Sequence, residues 1–397
     1  MSSKEHIGVF FQSDLTSGGG FNQELSTLES LQNSSFSKYT FTIFSTHKKT
    51  ISQLNQLGFS ATYIRFSFFN RLTDWIKNSL FHFFPSMLLT HHLSLDHKLS
   101  SYNCDLIYFL SPSPLALHLS QHSYIFTLWD LGHLDCQDFP EFKLTRQFKL
   151  RETRYQHILP QAYATLVSSE SFKETVKWRY RLNSKKIHTV PFITKQTFQE
   201  PNENLTDIFT TFSIPGPYIF YPAQFWSHKN HVYILDALSI LNKKDTPIHA
   251  VFSGTDKGNL AYLKSYVTKL GLDKFIHFVG FVDEDDLISF YKHSLALVMS
   301  TCLGPTNLPP LEAFNLGVPV IYPDQIGIKE FVEDAAFLVD LQTPNHLVEI
   351  LELIMNKSPL VTVKIKKGKD FINNKTSSNL AIKNIFDNYF YLKKRWK

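Results

Sequence analysis

Four short stretches of the chain carry residue types able to do chemistry. The first, Ser13–Gly20, ends in Gly18, Gly19 and Gly20. Consecutive glycines let a backbone approach a ligand closely, and a helix opening behind them offers N–H groups and a positive dipole end to an anion. Their offsets are not those of a dinucleotide fingerprint, and no Lys-Ser/Thr pair follows as in a Walker loop. The second stretch, Trp129–Pro140, sets Asp130, Asp135 and Asp138 beside His133. Such a group can orient sugar hydroxyls, serve as a base or hold a divalent metal, although no other His/Asp pair at ligand spacing supports the metal. The third, Tyr221–His231, carries Gln224 and Lys229 just ahead of an apolar run. A cation at a helix start is unfavourable unless an anion joins it, so Lys229 and the helix amides together suit a diphosphate. The fourth, Ser300–Phe314, contains Gly304, the turn Pro305-Thr306-Asn307, Leu308, Pro310 and Glu312. Pro310 fits the first turn of a helix, and a carboxylate at Glu312 in that same turn would accept two hydroxyls of a ribose diol. Plain readings stand beside these: a flexible turn, a solvated acidic loop, an exposed lysine and a dipole-complementing glutamate.

All four stretches follow a short apolar run, which is where an open parallel sheet places its binding loops. Runs such as Ile7–Phe11, Tyr124–Leu128, Tyr218–Tyr221 and Ala296–Met299 read as buried strands, and longer amphipathic segments alternate with them. That alternation predicts an α/β chain of parallel sheets covered by helices. The 397 residues suit two domains of roughly 200 each, since single cores stop growing beyond about 250–300 residues. Pro191–Pro217 lacks periodicity and reads as the linker, after which a second strand–helix alternation begins. The tail from Pro344 to Lys397 reads as helical and divides near Asn373–Ser378.

Composition excludes several classes. Hydrophobic residues at 43% against 19% charged rule out a disordered acidic chain. A net charge of +5 is spread over the whole length, unlike a nucleic-acid-binding block, and leaves anionic small molecules or an anionic membrane surface as partners. Cys104, Cys136 and Cys302 lie far apart, which argues against a disulfide framework and for a reducing compartment. The apolar run near the N-terminus is too short for a signal peptide, and no run is long enough to span a membrane. A cytoplasmic, non-spanning protein is expected. Leu72, Trp75, Ile76, Leu80, Phe83, Phe84 and Met87 recur at helical spacing near Arg71 and Lys77, as in a core helix or one lying on a membrane. Asp283-Glu284-Asp285-Asp286 resembles a metal-binding acidic motif, but it also opens a predicted helix, where acids are favourable.

Phe252-Ser253-Gly254, His277–Val282, Leu303–Ala313, Gly317-Val318-Pro319-Val320 and Ile326–Val332 together resemble the C-terminal half of the family 4 glycosyltransferases. The resemblance is specific from Tyr218 to Asp340. It implies the GT-B fold, with two Rossmann-like α/β domains facing across a cleft. Residues 1–195 would form the acceptor-side domain, 196–375 the donor-binding domain and 376–397 a helix packing back on the first. The implied activity is a retaining, metal-independent transfer of a hexose, mannose-like by preference. The donor is a nucleotide-diphosphate sugar and the acceptor a glycan or a lipid-linked one, in cell-surface polysaccharide or lipopolysaccharide synthesis. No cofactor and no nucleic acid are implied, and the site of action would be the cytoplasm or the inner face of the membrane. The resemblance carries catalytic roles to Asp130, His133, Lys229 and Glu312. Donor contacts would come from Gly18, Gly19, Gly20, Gln224, Lys229, Gly254, Val279, Gly280, Gly304, Thr306, Asn307, Leu308 and Glu312. Three positions depart from the family pattern: Gly304 replaces a glutamate, Gln224 an arginine, and Trp129 the histidine of a His-Asp pair for which His133 is a substitute. A variant donor site is expected. A sugar-nucleotide epimerase of the same fold and a non-catalytic sugar-nucleotide-binding subunit are the alternatives.

Overall fold

The computed structural model describes residues 5–14, 18–65, 93–143, 147–192, 194, 198, 206–243, 247–304, 307–325, 327–332, 334–374 and 378–395. The helical stripe Leu72–Met87 lies outside these residues, as does Thr306. Two compact units emerge, one from 1–130, 146–193 and 376–397, the other from 131–145 and 194–375. The segment 131–145 was expected with the first domain. It packs with the second unit instead, because Phe139, Glu141 and Phe142 close around His228.

The first unit is built on seven parallel strands in the order β3-β2-β1-β4-β5-β6-β7. They are β1 (Glu5–Phe10), β2 (Tyr39–Ser45), β3 (Ala61–Tyr63), β4 (Leu106–Phe109), β5 (Ser123–Thr127), β6 (Ala164–Val167) and β7 (Ile187–Thr189). A parallel sheet is covered on both faces, so its central strands read as unbroken apolar runs, and β4 and β6 are buried at every residue. Gly8 inside β1 has a packing reason: a Cβ there would stand 2.9 Å from the Phe44 ring. The C-terminal helix Ser378–Lys393 completes this unit's core, burying Ile382, Ile385, Phe386 and Phe390 against residues such as Phe36 and Tyr39. Its Asp387 accepts from the Tyr39 hydroxyl at 2.6 Å, and the Tyr389 hydroxyl donates to the Asp105 carbonyl at 2.7 Å.

The second unit has six parallel strands in the order β10-β9-β8-β11-β12-β13. They are β8 (Tyr218–Pro222), β9 (His249–Ser253), β10 (Ile276–Gly280), β11 (Leu297–Val298), β12 (Val320–Pro323) and β13 (Phe337–Val339). Relative to its own first strand this is 3-2-1-4-5-6, the doubly wound order that the first sheet also follows through its first six strands. The order reverses between β8 and β11, so loops leaving those two strands share one crevice at the carboxyl edge. The acidic run at Asp283 starts the helix Glu284–His293. The Asp283 side chain caps it by accepting from the Asp286 amide at 2.9 Å. Among the described residues no helix is long and apolar enough to cross a membrane.

Candidate functional site

The strand β8 ends at Pro222, and the chain passes through a short 3-10 turn, Ser227–Lys229, before the helix His231–Leu241. Asn230 joins turn to helix in a left-handed conformation, φ 52°, which asparagine tolerates better than most residues. Side chains from neighbouring strands fix this turn. The Tyr221 hydroxyl donates to the Lys229 carbonyl at 3.0 Å, and the Ser300 hydroxyl to the Asn230 carbonyl at 2.8 Å. The Cys302 amide donates to the His228 carbonyl at 2.8 Å. The loop after β11 is therefore tied to the loop after β8 at the strand-order reversal.

Lys229 Nζ stands 3.4 Å from Asn307 Oδ1. Asn307 is the N-cap of the helix Leu308–Leu316, yet its side chain makes no capping bond. A cap normally accepts from the second or third N–H of its helix. Here those residues are Pro309 and Pro310, which have none. The Asn307 carboxamide is thereby left to accept from Lys229 and to donate to the Tyr322 hydroxyl at 2.8 Å and the Gly304 carbonyl at 3.4 Å. The same prolines remove two of the four N–H groups that a helix start presents, leaving those of Asn307 and Leu308. Gly304 adopts φ 111°, a conformation that suits glycine.

Glu312 was expected in the first helical turn. The helix begins at Leu308, so Glu312 falls one turn deeper, only 6% exposed, and accepts from the Tyr291 hydroxyl at 2.7 Å. Burial, reinforced by Glu312, pushes the Tyr291 phenol well above its usual range. The dipole-complementing reading of Glu312 falls away with its new position. Gln224 was assigned to the donor, and its Oε1 accepts from the Trp226 indole at 3.0 Å. The Gly254 amide donates to the Gly280 carbonyl at 2.8 Å. A Cβ on Gly254 would lie 2.3 Å from the Ala223 carbonyl oxygen, so only glycine lets the loop after β9 pass under the loop after β8. Val279 lies next to Gly280 at the end of β10 and is partly exposed, while Leu308 is buried.

His231, beside Lys229, is wholly buried among the rings of Tyr221, Phe225 and Phe252, with centroids 4.8 to 5.1 Å away. Neither ring nitrogen has a hydrogen-bond partner among the described residues. Burial, with Lys229 and His228 adding to it, lowers its pKa to about 3, so the imidazole is neutral. Among the described residues no group of three or more His, Cys, Asp or Glu side chains is arranged to hold a metal ion.

Of the remaining assigned residues, all but His133 lie in the first unit. Asp130 accepts from Arg151 at 2.8 Å, and the guanidinium lies 5.7 Å over the Tyr155 ring. Burial opposes the Arg151 charge, yet Asp130 and Tyr155 hold it above its ordinary range. An ion-paired carboxylate is a weak base, so Asp130 suits orientation better than proton abstraction. His133, wholly buried in the turn Gly132–Asp135, belongs to the second unit, so the two catalytic assignments fall in different units. Gly18 precedes the helix Gly19–Ser30 at φ 58°, and a Cβ on Gly20 would touch the Trp129 ring at 3.2 Å. Beneath this loop sits Glu24, 0% exposed. Its Oε2 accepts from the Gln12 amide at 2.8 Å and the Ser13 amide at 3.0 Å. Burial, against the hydrogen bonds it accepts, raises its pKa to about 7. The amides that open the glycine loop thus already serve a carboxyl group.

Residues 211–376 match the family model described as glycosyl transferases group 1. That match lies almost wholly within the second unit. Over nearly its full length the chain has the fold of solved GT-B glycosyltransferases. One is a glycosyltransferase from Rickettsia africae ESF-5, 17% identical with a TM-score of 0.72 over 99% of each chain. Another is Alr3699/HepE of Anabaena, solved in complex with UDP, 13% identical with a TM-score of 0.71 over 97% of this chain and 99% of that one. A curated relative, mannosylfructose-phosphate synthase of Agrobacterium fabrum, is 23% identical over 197 residues, 46% of this chain. The match spans 43% of that relative's length.

Within the second unit, Lys229, Gly304, Asn307 and Leu308 belong to one linked pair of loops, with Gly254 and Gly280 bonded to each other alongside. Sequence reasoning assigned no role to the side chains of Tyr221, Tyr322, Tyr291, Ser300 and Glu141, whose partners lie 8 to 87 residues away along the chain. One signal was available: once the helix start at Leu308 is known, Pro309 and Pro310 forbid Asn307 to cap and so mark its side chain for other work.

Proposed function

We propose that this protein is a retaining glycosyltransferase. It takes a mannose-like hexose from a nucleoside-diphosphate sugar and passes it to a glycan or lipid-linked acceptor, in the assembly of cell-surface polysaccharide or lipopolysaccharide. The observation that carries the reading is Lys229, held toward Asn307 by a turn that Ser300 and Cys302 tie across the strand-order reversal. Breaking the bond between sugar and diphosphate leaves positive charge on the sugar and negative charge on the leaving group. Lys229 and the N–H groups of Asn307 and Leu308 oppose the latter, the electrostatic term that usually dominates. Glu312, buried beneath the same helix start, is the ribose-side acceptor in this scheme. The leaving phosphate takes the acceptor's proton on the same face, so neither a metal nor a carboxylate base pair is required. Support for a nucleotide-sugar donor comes from Alr3699/HepE, solved with UDP and with UDP-glucose. Support for a hexosyl product comes from the name of the Agrobacterium relative. The setting is the cytoplasmic side of a membrane when the acceptor is lipid-linked.

A thermal-shift series with UDP-, GDP-, ADP- and dTDP-sugars tests the donor, because a ligand bound only by the folded state stabilises it by mass action. One series should raise the melting temperature, and acceptor-dependent release of the matching nucleoside diphosphate should follow, with the anomeric configuration retained in the product. No shift with any of the four defeats the proposal. A second reading, a sugar-nucleotide-binding subunit without activity, rests on Gly304 in place of a glutamate and on Gln224 engaged by Trp226. Binding without acceptor-dependent release would select it.

A further inference from the structure

The segment 131–145 belongs to the second unit, although the chain on either side of it belongs to the first. Within it, the short turn Pro140–Lys143 presents Glu141 to the phosphate-side loop. One oxygen, Glu141 Oε1, accepts from the His228 backbone N–H at 3.0 Å and meets His228 Nδ1 at 2.6 Å. An ionised carboxylate only accepts, so Nδ1 carries the proton in this pair. Both side chains are nearly buried, at 11% and 9% exposure for His228 and Glu141, where an unmade hydrogen bond is costly. Aromatic rings fix the imidazole plane. Trp226 stacks on it at 6.3 Å and 22°, Phe139 meets it edge-on at 6.3 Å, and Phe142 lies 6.1 Å away. A second grip lies nearby, where Cys136 Sγ donates to the Cys302 carbonyl at 3.6 Å. His228 immediately precedes Lys229 in the same 3-10 turn, and its carbonyl receives the Cys302 amide. Both loops of the donor crevice are thus held by one excursion of the chain.

We infer that Glu141 is a positioning residue, which fixes the Ser227–Lys229 turn through His228 and so sets where the Lys229 ammonium stands. The inference rests on the proposed diphosphate role of Lys229. Turns of this kind bind anions well only when their geometry is fixed before the ligand arrives, because a loose turn must lose its freedom on binding. Holding both the main chain and the side chain of the residue before the lysine leaves the turn little freedom to lose.

The test is a double-mutant cycle on nucleoside-diphosphate binding, measured by isothermal titration with UDP, GDP, ADP and dTDP. Glu141→Ala should weaken the best-bound of the four by about tenfold, whereas Glu141→Gln, which keeps a carbonyl acceptor, should weaken it by less than about threefold. In a Lys229→Ala background the Glu141→Ala loss should largely vanish, since both changes act through the same ammonium. Glu141→Asp keeps the charge but withdraws the oxygen by one methylene. It should weaken binding at an unchanged circular-dichroism spectrum, and it stands in if the alanine variant does not fold. Wild-type affinity in both Glu141→Ala and Glu141→Asp, or a loss that persists in full without Lys229, overturns the inference. Unchanged binding in Lys229→Ala alone instead overturns the parent reading of the lysine, and the positioning role falls with it.

Discussion

The first strand, loop and helix of each sheet sit at the same topological place, beside the reversal of strand order, and the two are furnished with opposite charge. After β1 the amides of Gln12 and Ser13 point to the buried carboxyl group of Glu24. After β8 the turn carries Lys229, with the neutral His231 behind it. A shared topology offers both junctions the same geometry of N–H groups, and the side chains beneath the loops decide what those groups can hold. At the first junction two amides are taken up by the chain's own glutamate. The second keeps a cation and suits a diphosphate.

Both junctions bury a titratable group, and their pH dependences run in opposite directions, which gives the comparison a sharp test. His231 has its folded pKa at about 3 against an ordinary 6.5. The unfolded chain therefore takes up a proton first, and stability present above about pH 6.5 is lost as the pH falls, by about 5 kcal/mol at the limit. In His231→Phe, urea midpoints followed down to about pH 4 should decline much less than in the wild type. Equal declines would mean that the second junction does not exclude charge as described. Removing the cation should have the next largest effect: Lys229→Ala should cut transfer by about 10²–10³-fold, comparable to losing one transition-state donor elsewhere. A steady-state assay of sugar transfer reads this directly, and near-wild-type turnover would erase the contrast between the junctions.

For Glu24 the sign is reversed. Its folded pKa of about 7 exceeds the ordinary 4.5, so the folded state holds its proton longer. Stability is greatest at acidic pH and is lost as the pH rises through about 7, by about 3 kcal/mol in all. Glu24→Gln should flatten that slope in urea titrations on the alkaline side; an unaltered slope removes Glu24 as the titrating group. The smallest effect expected is at Glu312. Tyr291→Phe deletes its hydroxyl donor and should destabilise the fold by about 1–2 kcal/mol, a shift of the urea midpoint at constant slope.

Much of the scaffold can be read directly from residue order. Apolar runs such as Leu106–Phe109 and Tyr218–Pro222 are buried strands in the structure, and the chemistry-bearing loops do follow them. Parallel strands between two helical layers must be apolar throughout, so their signal is local and survives without an alignment. The strand near Ala296 shortened to Leu297–Val298, because regular pairing there is confined to those two residues. Less of the site was legible. Glu312 read as a first-turn residue until the helix start was known, and nothing in the residue order signalled that Arg151 pairs with Asp130.

By itself the sequence determined the two parallel sheets and the short strands from which the candidate loops depart, since each follows from residues only a few positions apart. Only the tertiary structure decided that Glu141 reaches His228, 87 residues away, and that Glu24 occupies the amides of Gln12 and Ser13. Such pairings are set by how sheets and helices pack in three dimensions, and no periodicity along the chain records them.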